Sequence, residues 1–97
     1  MNSRRRFLYD VVEWPGFEEA AILALGSFGR WEAVKEYLDL FIARDPKVGH
    51  LIPGTNLYAL SLETNPPCTI FYSIEDESID EAGHQTGKIV LREIEEV

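Results

Sequence analysis

The most informative stretch of the chain is Ile52-Pro53-Gly54-Thr55-Asn56-Leu57-Tyr58-Ala59-Leu60, which follows Asp45-Pro46 and Gly49 and precedes Thr69-Ile70-Phe71-Tyr72-Ser73-Ile74. Proline disfavours helical geometry in the residue before it, so a preceding helix should end near Asp45. After Gly54 the apolar residues recur at every second position, which is the period of a strand. The turn Asn65-Pro66-Pro67 then separates two strands that we expect to pair antiparallel.

The part of the chain before this stretch predicts one strand and a helical hairpin. Phe7–Trp14 is rich in aromatic and β-branched residues, as strands are, and Pro15-Gly16 ends it. A first helix should run from Phe17 to near Gly26, because its apolar residues recur at three and four residue steps. The same spacing continues in a second helix, which we expect to end at about Ala43 and which carries Trp31, Val34 and Leu38.

The part after it predicts one more strand. The mostly polar run 75–86 contains Gly83 and reads as a long connection, and the run 88–94 reads as the final strand. The order is then a strand, a helical hairpin and three antiparallel strands. We therefore predict one α+β domain over residues 1–97, with a single sheet and both helices on one face of it.

Composition restricts the function. The chain has 97 residues, of which 45% are hydrophobic and 27% charged, as in an ordinary globular domain. Nine basic residues against 17 acidic ones give a net charge of −8, so the average field repels nucleic acid. No apolar run reaches the roughly 18 residues of a membrane span, and the N-terminal residues do not form a signal peptide. We expect a cytoplasmic protein without a membrane partner.

No cofactor or metal is expected. Cys68 is the single cysteine, so it has no internal disulfide partner, and we interpret it as a small strand residue. His50 and His84 lie far apart and lack the spacing of metal ligands. The acidic run 75–81 lacks the ligand spacing of an EF-hand loop.

The order of elements and two short motifs resemble the RelE/ParE superfamily of toxins from bacterial toxin-antitoxin pairs. In that family a proline and glycine loop leads to a strand of the type Leu-Tyr-Glu-Leu-Arg, which here reads Leu57-Tyr58-Ala59-Leu60-Ser61. A strand of the type Tyr-Arg-Val-x-Tyr follows, which here reads Cys68-Thr69-Ile70-Phe71-Tyr72. The resemblance implies a RelE/ParE-like fold over nearly the whole chain.

The resemblance also implies a function, and the sequence departs from it. The ribonuclease members cut messenger RNA in the ribosome, and their strand arginines and lysines hold the scissile phosphate, where positive charge stabilises the transition state. The positions that match the arginines hold Ser61 and Thr69, whose neutral hydroxyls carry no such charge. The ParE branch acts on DNA gyrase through protein contacts, so a toxin-like fold does not require this catalytic set.

Three hypotheses follow. The first is a toxin-like component of a type II toxin-antitoxin pair that acts by protein binding or is catalytically degenerate. Enzymatic activity is left open, although the missing arginines count against it; the partner is an antitoxin-like protein, with a homodimer also left open. The second is a ribosome-dependent endoribonuclease with a relocated basic site. Its phosphate would be held by Arg4, Arg5, Arg6, Lys88 and Arg92, and His84 or Tyr72 would move protons. The third is a small cytoplasmic α+β binding domain unrelated to toxicity.

Each candidate residue has a structural alternative. Lys88 and Arg92 are four residues apart on one strand, hence on one face, and would there either approach a substrate or pair with acidic groups opposite. Tyr72 and Tyr58 either stack on a base or pack in the core. The arginines 4–6 either contact an RNA or acidic partner or remain solvated.

Overall fold

The computed structural model describes residues 7–97 and has an α+β fold with two helices and one five-stranded sheet. The order of the strands in the sheet is β1-β5-β4-β3-β2. The elements, in chain order, are β1 (Phe7–Glu13), α1 (Phe17–Leu25), α2 (Phe28–Phe41), β2 (His50–Leu51), β3 (Leu57–Leu62), β4 (Cys68–Ile79) and β5 (Gln85–Glu96). The predicted N-terminal strand and helical hairpin are confirmed.

The sheet is mixed. β1 runs parallel to β5, in register from Phe7 opposite Gln85 to Glu13 opposite Leu91. All other neighbouring strands are antiparallel. The helical hairpin separates β1 from the strands that follow it in sequence, and β1 pairs with β5, the last strand of the chain. β5 therefore lies between β1 and β4 in the sheet.

Both helices contribute their buried side chains to a core on one face of the sheet. Glycines in the left-handed region bound α1, and at Gly26 (φ 97°) the N–H donates to the Ile22 carbonyl at 2.8 Å. Ser27 begins α2, and its hydroxyl accepts from the Arg30 N–H at 3.2 Å. The fully buried core residues of the helices and strands include Ala21, Leu25, Trp31, Leu38, Ile42, Cys68, Ile70, Tyr72, Ile89 and Leu91.

Two of the predictions for the second half of the chain are wrong. The run 75–86, expected to be a connection, is mostly strand: β4 continues to Ile79, β5 begins at Gln85, and a short turn joins them. Asp80 holds this turn, since its Oδ1 accepts the N–H groups of Ala82 at 3.0 Å and His84 at 2.8 Å. The sheet also has five strands where four were expected, because His50–Leu51 pairs with β3.

Two irregularities interrupt the pairing of β4 with β5. One lies between Phe71 and Tyr72, where Arg92 is the extra residue on β5, and the other between Glu75 and Ser78. At the second, Asp76 has a φ of 54°, which is uncommon for a residue with a side chain. Glu77 thereby accepts a 2.7 Å hydrogen bond from the Tyr9 hydroxyl. Burial, together with Glu77, raises the pKa of Tyr9 to about 12.

Candidate functional site on the outer sheet face

The face of the sheet that points away from the helices carries most of the strand residues proposed as a site. We call it the outer sheet face. Successive strand residues point to opposite faces, and Cys68, Ile70 and Tyr72 belong to the core, so their neighbours on β4 point outward. Through the strand register, this face comprises Asp10, Val12, Leu57, Ala59, Ser61, Thr69, Phe71, Ser73, Glu75, Lys88, Val90, Arg92, Glu93 and Glu95.

Arg92 is the centre of a compact polar cluster on this face. Its Nε donates to Ser73 Oγ at 3.1 Å, and its Nη2 donates to Glu75 Oε2 in a close ion pair. Ser73, which is fully buried, donates to the same Glu75 oxygen at 2.8 Å. The guanidinium carbon also lies 4.2 Å from the centroid of the Trp14 ring, a cation–π contact. The arginine is thus held on three sides.

Glu75 neutralises this arginine at neutral pH. The hydrogen bond from Ser73, and then that from Arg92, lowers the pKa of the Glu75 carboxyl below its usual 4.5. The carboxylate therefore stays charged and binds Nη2, one of the donor groups that would hold a phosphate. The contacts of the cluster fix the position of the Arg92 side chain, and the adjacent Glu75 carboxylate repels an incoming anion.

Lys88 is paired in a similar way. Its ammonium lies 3.7 Å from Asp76 Oδ2, and both side chains are more than half exposed. Lys88 also faces Asp10 on β1 and Glu75 on β4 across the ladders. The structure therefore places Lys88 and Arg92 on one face, each with a carboxylate of β4 beside it.

Ser61 and Thr69 face each other directly. They are paired across β3 and β4, and Thr69 in turn lies opposite Glu95 on β5. The row across the three strands is thus two neutral hydroxyls followed by a carboxylate, with no basic side chain at the three positions.

Tyr72 is not on this face. Its side chain is fully buried, its hydroxyl donates to the Pro46 carbonyl at 2.8 Å, and the same oxygen accepts from the Gly49 N–H at 3.0 Å. Burial raises the pKa of this hydroxyl above its usual 10.0. Tyr58 stacks on its ring with centroids 5.4 Å apart. Tyr72 therefore ties the loop after α2 to the sheet. It packs in the core, and its buried ring is not available to stack on a base.

The remaining candidates are dispersed. His84 ends the turn between β4 and β5, with Nδ1 3.6 Å from Asp80 Oδ2, whereas Thr69 lies at the opposite end of β4. Cys68 is fully buried and His50 is on the short edge strand. Arg4, Arg5 and Arg6 lie outside the described residues. Within 7–97, no group of three or more His, Cys, Asp or Glu residues is arranged to hold a metal ion.

Three residues of the cluster were missed by sequence reasoning: Trp14, Ser73 and Glu75. The alternation along β4 places Ser73 and Glu75 on one face, which was a readable signal. That Arg92 reaches both, and that Trp14 covers it, depends on the irregular pairing at Arg92 and on the parallel approach of β1, for which the sequence pattern offers no signal.

A concave surface on the helix side holds no comparable chemistry. A groove of about 430 Å³ between α2 and the end of β3 is lined by Ala33, Val34, Tyr37 and Leu62, together with Ser61, Glu63 and Thr64. It contains one carboxylate and no basic or imidazole group, so it offers no acid–base pair. Neither α1 nor α2, the helices of the described segment, has the length and apolar character to cross a membrane.

Comparison of the chain with protein-family models, with curated proteins and with solved structures gave no match. Its function is therefore inferred from its residues and their geometry.

Proposed function

We propose that this chain is a toxin-like, protein-binding component of a type II toxin-antitoxin pair, built on a RelE/ParE-like scaffold without a ribonuclease site. Its partner is an antitoxin-like protein, and its action, where it has one, is exerted through protein contacts. It works in the cytoplasm.

One observation carries the proposal: each strand cation of the outer sheet face already has a carboxylate beside it. Glu75 occupies Arg92, Asp76 accompanies Lys88, and hydroxyls stand at Ser61 and Thr69. Phosphoryl chemistry depends on positive charge that is free to stabilise the developing negative charge of the transition state. A phosphate at Arg92 would have to compete with the Glu75 carboxylate, which already lies against the guanidinium.

The order of the elements supports the RelE/ParE-like scaffold. A strand, a helical hairpin and then antiparallel strands follow one another in the order that the resemblance implies. The two motifs that carry the resemblance fall on β3 and β4, which are neighbours in the sheet. The net charge of −8 favours a protein partner over RNA, because a polyanion is repelled by the average field.

Two experiments test the proposal. Purified chain is incubated with ribosomes that carry a defined messenger RNA, and cleavage is scored by primer extension; no cleavage is expected. Growth is then followed on induction of the chain, with and without the protein encoded by the adjacent gene, and the two proteins are co-purified; a stoichiometric complex is expected.

The control for the first experiment is a pair of variants. Glu75→Gln leaves Arg92 without its carboxylate, and Arg92→Ala removes the cation. Ribosome-dependent cleavage by the unmodified chain that disappears in Arg92→Ala or Lys88→Ala would overturn the proposal in favour of a relocated ribonuclease site. Absence of any complex with the adjacent protein would overturn the assignment to a toxin-antitoxin pair.

A further inference from the structure

Two concave surfaces on the helix side of the molecule join into one groove. The groove of about 430 Å³ between α2 and the end of β3 adjoins a second concavity of about 280 Å³. The two share Ala33, Val34 and Thr64 as lining residues. Together they extend along α2 from Arg30, in the second concavity, to Tyr37, in the first. We call the combined depression the α2 groove.

The lining of the α2 groove is mostly apolar. Leu25, Val34 and Leu62 are buried core residues that contribute to its lining, and Ala33 and Tyr37 are exposed along α2. Sites for small molecules combine an apolar lining of this kind with a few polar groups that fix the orientation of the ligand. The α2 groove therefore suits a ligand with an apolar body, provided that its polar groups match those of the groove.

Arg30 supplies the positive charge of the groove. Its Nη1 donates to the Leu25 carbonyl at 3.2 Å and to the Asn65 carbonyl at 3.0 Å, which fixes the guanidinium between the end of α1 and the turn after β3. Within residues 7–97 Arg30 takes part in no ion pair, and its Nε and Nη2 form no hydrogen bond. These two nitrogens form a planar fork that matches the two oxygens of a carboxylate.

The charge at the other end of the groove selects the orientation of the ligand. Glu63 lines only the part that contains Tyr37, so it would repel a carboxylate there and leave the Arg30 end as the place for an anionic group. The net charge of −8 opposes a small monoanion far less than nucleic acid, which carries one charge for each phosphate.

The length of the groove limits the apolar body. Arg30 and Tyr37 are seven helical residues apart, hence about 10 Å along the helix axis at 1.5 Å per residue. An extended alkyl chain of medium length spans this distance. A carboxylate at one end of such a chain would meet the arginine, while the chain covers the apolar middle of the groove.

We propose that the α2 groove binds a small amphipathic carboxylate, a medium-chain fatty acid in its simplest form, with the carboxylate on Arg30 and the alkyl chain over Val34 and Leu62 toward Tyr37. This inference goes beyond the proposed function, because it concerns a small molecule on the helix side rather than a protein partner. The site is one of binding and not of catalysis, since the groove offers no acid–base pair.

A titration with octanoate tests the site. Octanoate is added to the isotopically labelled chain below the concentration at which octanoate aggregates, and nuclear magnetic resonance follows the backbone amides of Ala33 and Thr64. Octylammonium is the matched control, because it has the same alkyl chain and the opposite charge. We expect octanoate to saturate one site and octylammonium to bind at least about tenfold more weakly.

Two variants test the apolar part of the groove. Ala33→Trp places a large ring at an exposed position of α2 inside the groove and should abolish octanoate binding. Ala20→Trp is its control, since it makes the same change at an exposed position of α1 outside the groove, and it should leave binding unchanged. Circular dichroism verifies that both variants are folded.

A third variant tests the charged end. Arg30→Gln should weaken octanoate binding by about tenfold or more, the usual effect of losing a hydrogen-bonded charged partner. Octanol has the same chain without the charge, so its weaker binding should be the same in Arg30→Gln as in the unmodified chain. An equal loss for octanol and octanoate would mean that Arg30 acts only through its contacts with the Leu25 and Asn65 carbonyls.

That equal loss would overturn the inference, as would octanoate binding that does not saturate, or equal affinities for octanoate and octylammonium. Octanoate binding that survives Ala33→Trp would place the ligand elsewhere and would also overturn it. None of these results depends on a protein partner or on ribosomes, so the proposed function stands or falls by its own two experiments.

Discussion

Gly87 lies on β5 where the ring of Tyr9 passes over the strand. A Cβ at this position would lie 2.6 Å from Tyr9 Cε2, 2.9 Å from Tyr9 Cδ2 and 3.1 Å from the Glu75 carbonyl oxygen. The ring cannot easily move, because its hydroxyl is bound to Glu77 at the irregular part of β4. The absence of a side chain is therefore a packing requirement here.

We expect Gly87→Ala to lower the free energy of unfolding by about 1–3 kcal/mol, the usual effect of an added methyl group in a space without room. Gly29→Ala is the matched control: Gly29 lies in α2, nothing comes within 4 Å of its added Cβ, and alanine is the better helix former. It should leave stability unchanged or raise it by up to about 1 kcal/mol. Urea unfolding compares the two variants, and equal effects would contradict the packing explanation.

For individual residues, the sequence predicts where basic side chains are missing from the strands, but not which carboxylates pair with the basic side chains that are present. Ser61 and Thr69 were identified from the motif positions, and their direct pairing follows from two strands joined by a short turn. The strand spacing predicts that Lys88 and Arg92 share a face, where they approach a substrate or pair with acidic groups, but it does not reveal that their partners are Asp76 and Glu75. Both partners lie beside irregular pairings, and the side-chain period of two does not reveal an inserted residue.

Among the elements, the loop between α2 and β3 is tied to the sheet by one buried side chain, that of Tyr72. Two of its backbone groups, the Pro46 carbonyl and the Gly49 N–H, bind the hydroxyl of Tyr72 on β4. A Cβ on Gly49 would come within 2.8 Å of that hydroxyl, so the approach is close. The loop carries β2, so Tyr72 helps to position the edge strand, together with the pairing of β2 with β3.

Tyr72→Phe should therefore cost about 1–3 kcal/mol of the free energy of unfolding, because it leaves both backbone groups without their partner. Hydrogen exchange at the Gly49 amide should also accelerate, since that N–H loses its acceptor. Tyr58→Phe, which removes the hydroxyl of the ring stacked on Tyr72, is the control and should leave exchange at Gly49 unchanged. Unchanged exchange in Tyr72→Phe would show that the loop is held by other contacts.

The elements also show why part of the fold was not predictable. The helices, whose apolar residues recur at three and four residue steps, and the first strand, which is rich in aromatic and β-branched residues, were predicted with nearly correct ends. The run 75–86 resembles a loop because its residues are mostly polar. The end of β4 is mostly exposed, however, and the beginning of β5 is half-buried, and polar residues are normal in such strands. The two residues of β2 are too few to show any period.

For the molecule as a whole, the dominant electrostatic fact is an excess of negative charge. The chain has 17 acidic and nine basic residues. Within residues 7–97, Glu13, Glu75 and Asp76 form ion pairs with lysine or arginine, and Asp80 lies 3.6 Å from the His84 imidazole, whereas Glu93 and Glu95 take no part in an ion pair. Mutual repulsion among the unpaired carboxylates opposes the compact state, and ions in solution screen it.

At neutral pH we therefore expect the free energy of unfolding to rise as sodium chloride increases from about 0.02 M to about 0.5 M, the range over which the Debye length falls below the spacing of surface charges. The rise should vanish near pH 4.6, where the net charge is close to zero.

Glu95→Gln should stabilise the chain by up to about 0.5 kcal/mol at low salt and reduce the salt response. Glu13→Gln removes an equal charge that is paired with Lys35 at 3.3 Å, so it should give no such gain. A fall in stability with salt would mean that the ion pairs outweigh the repulsion, and equal gains in both variants would mean that total charge, rather than its pairing, determines the response.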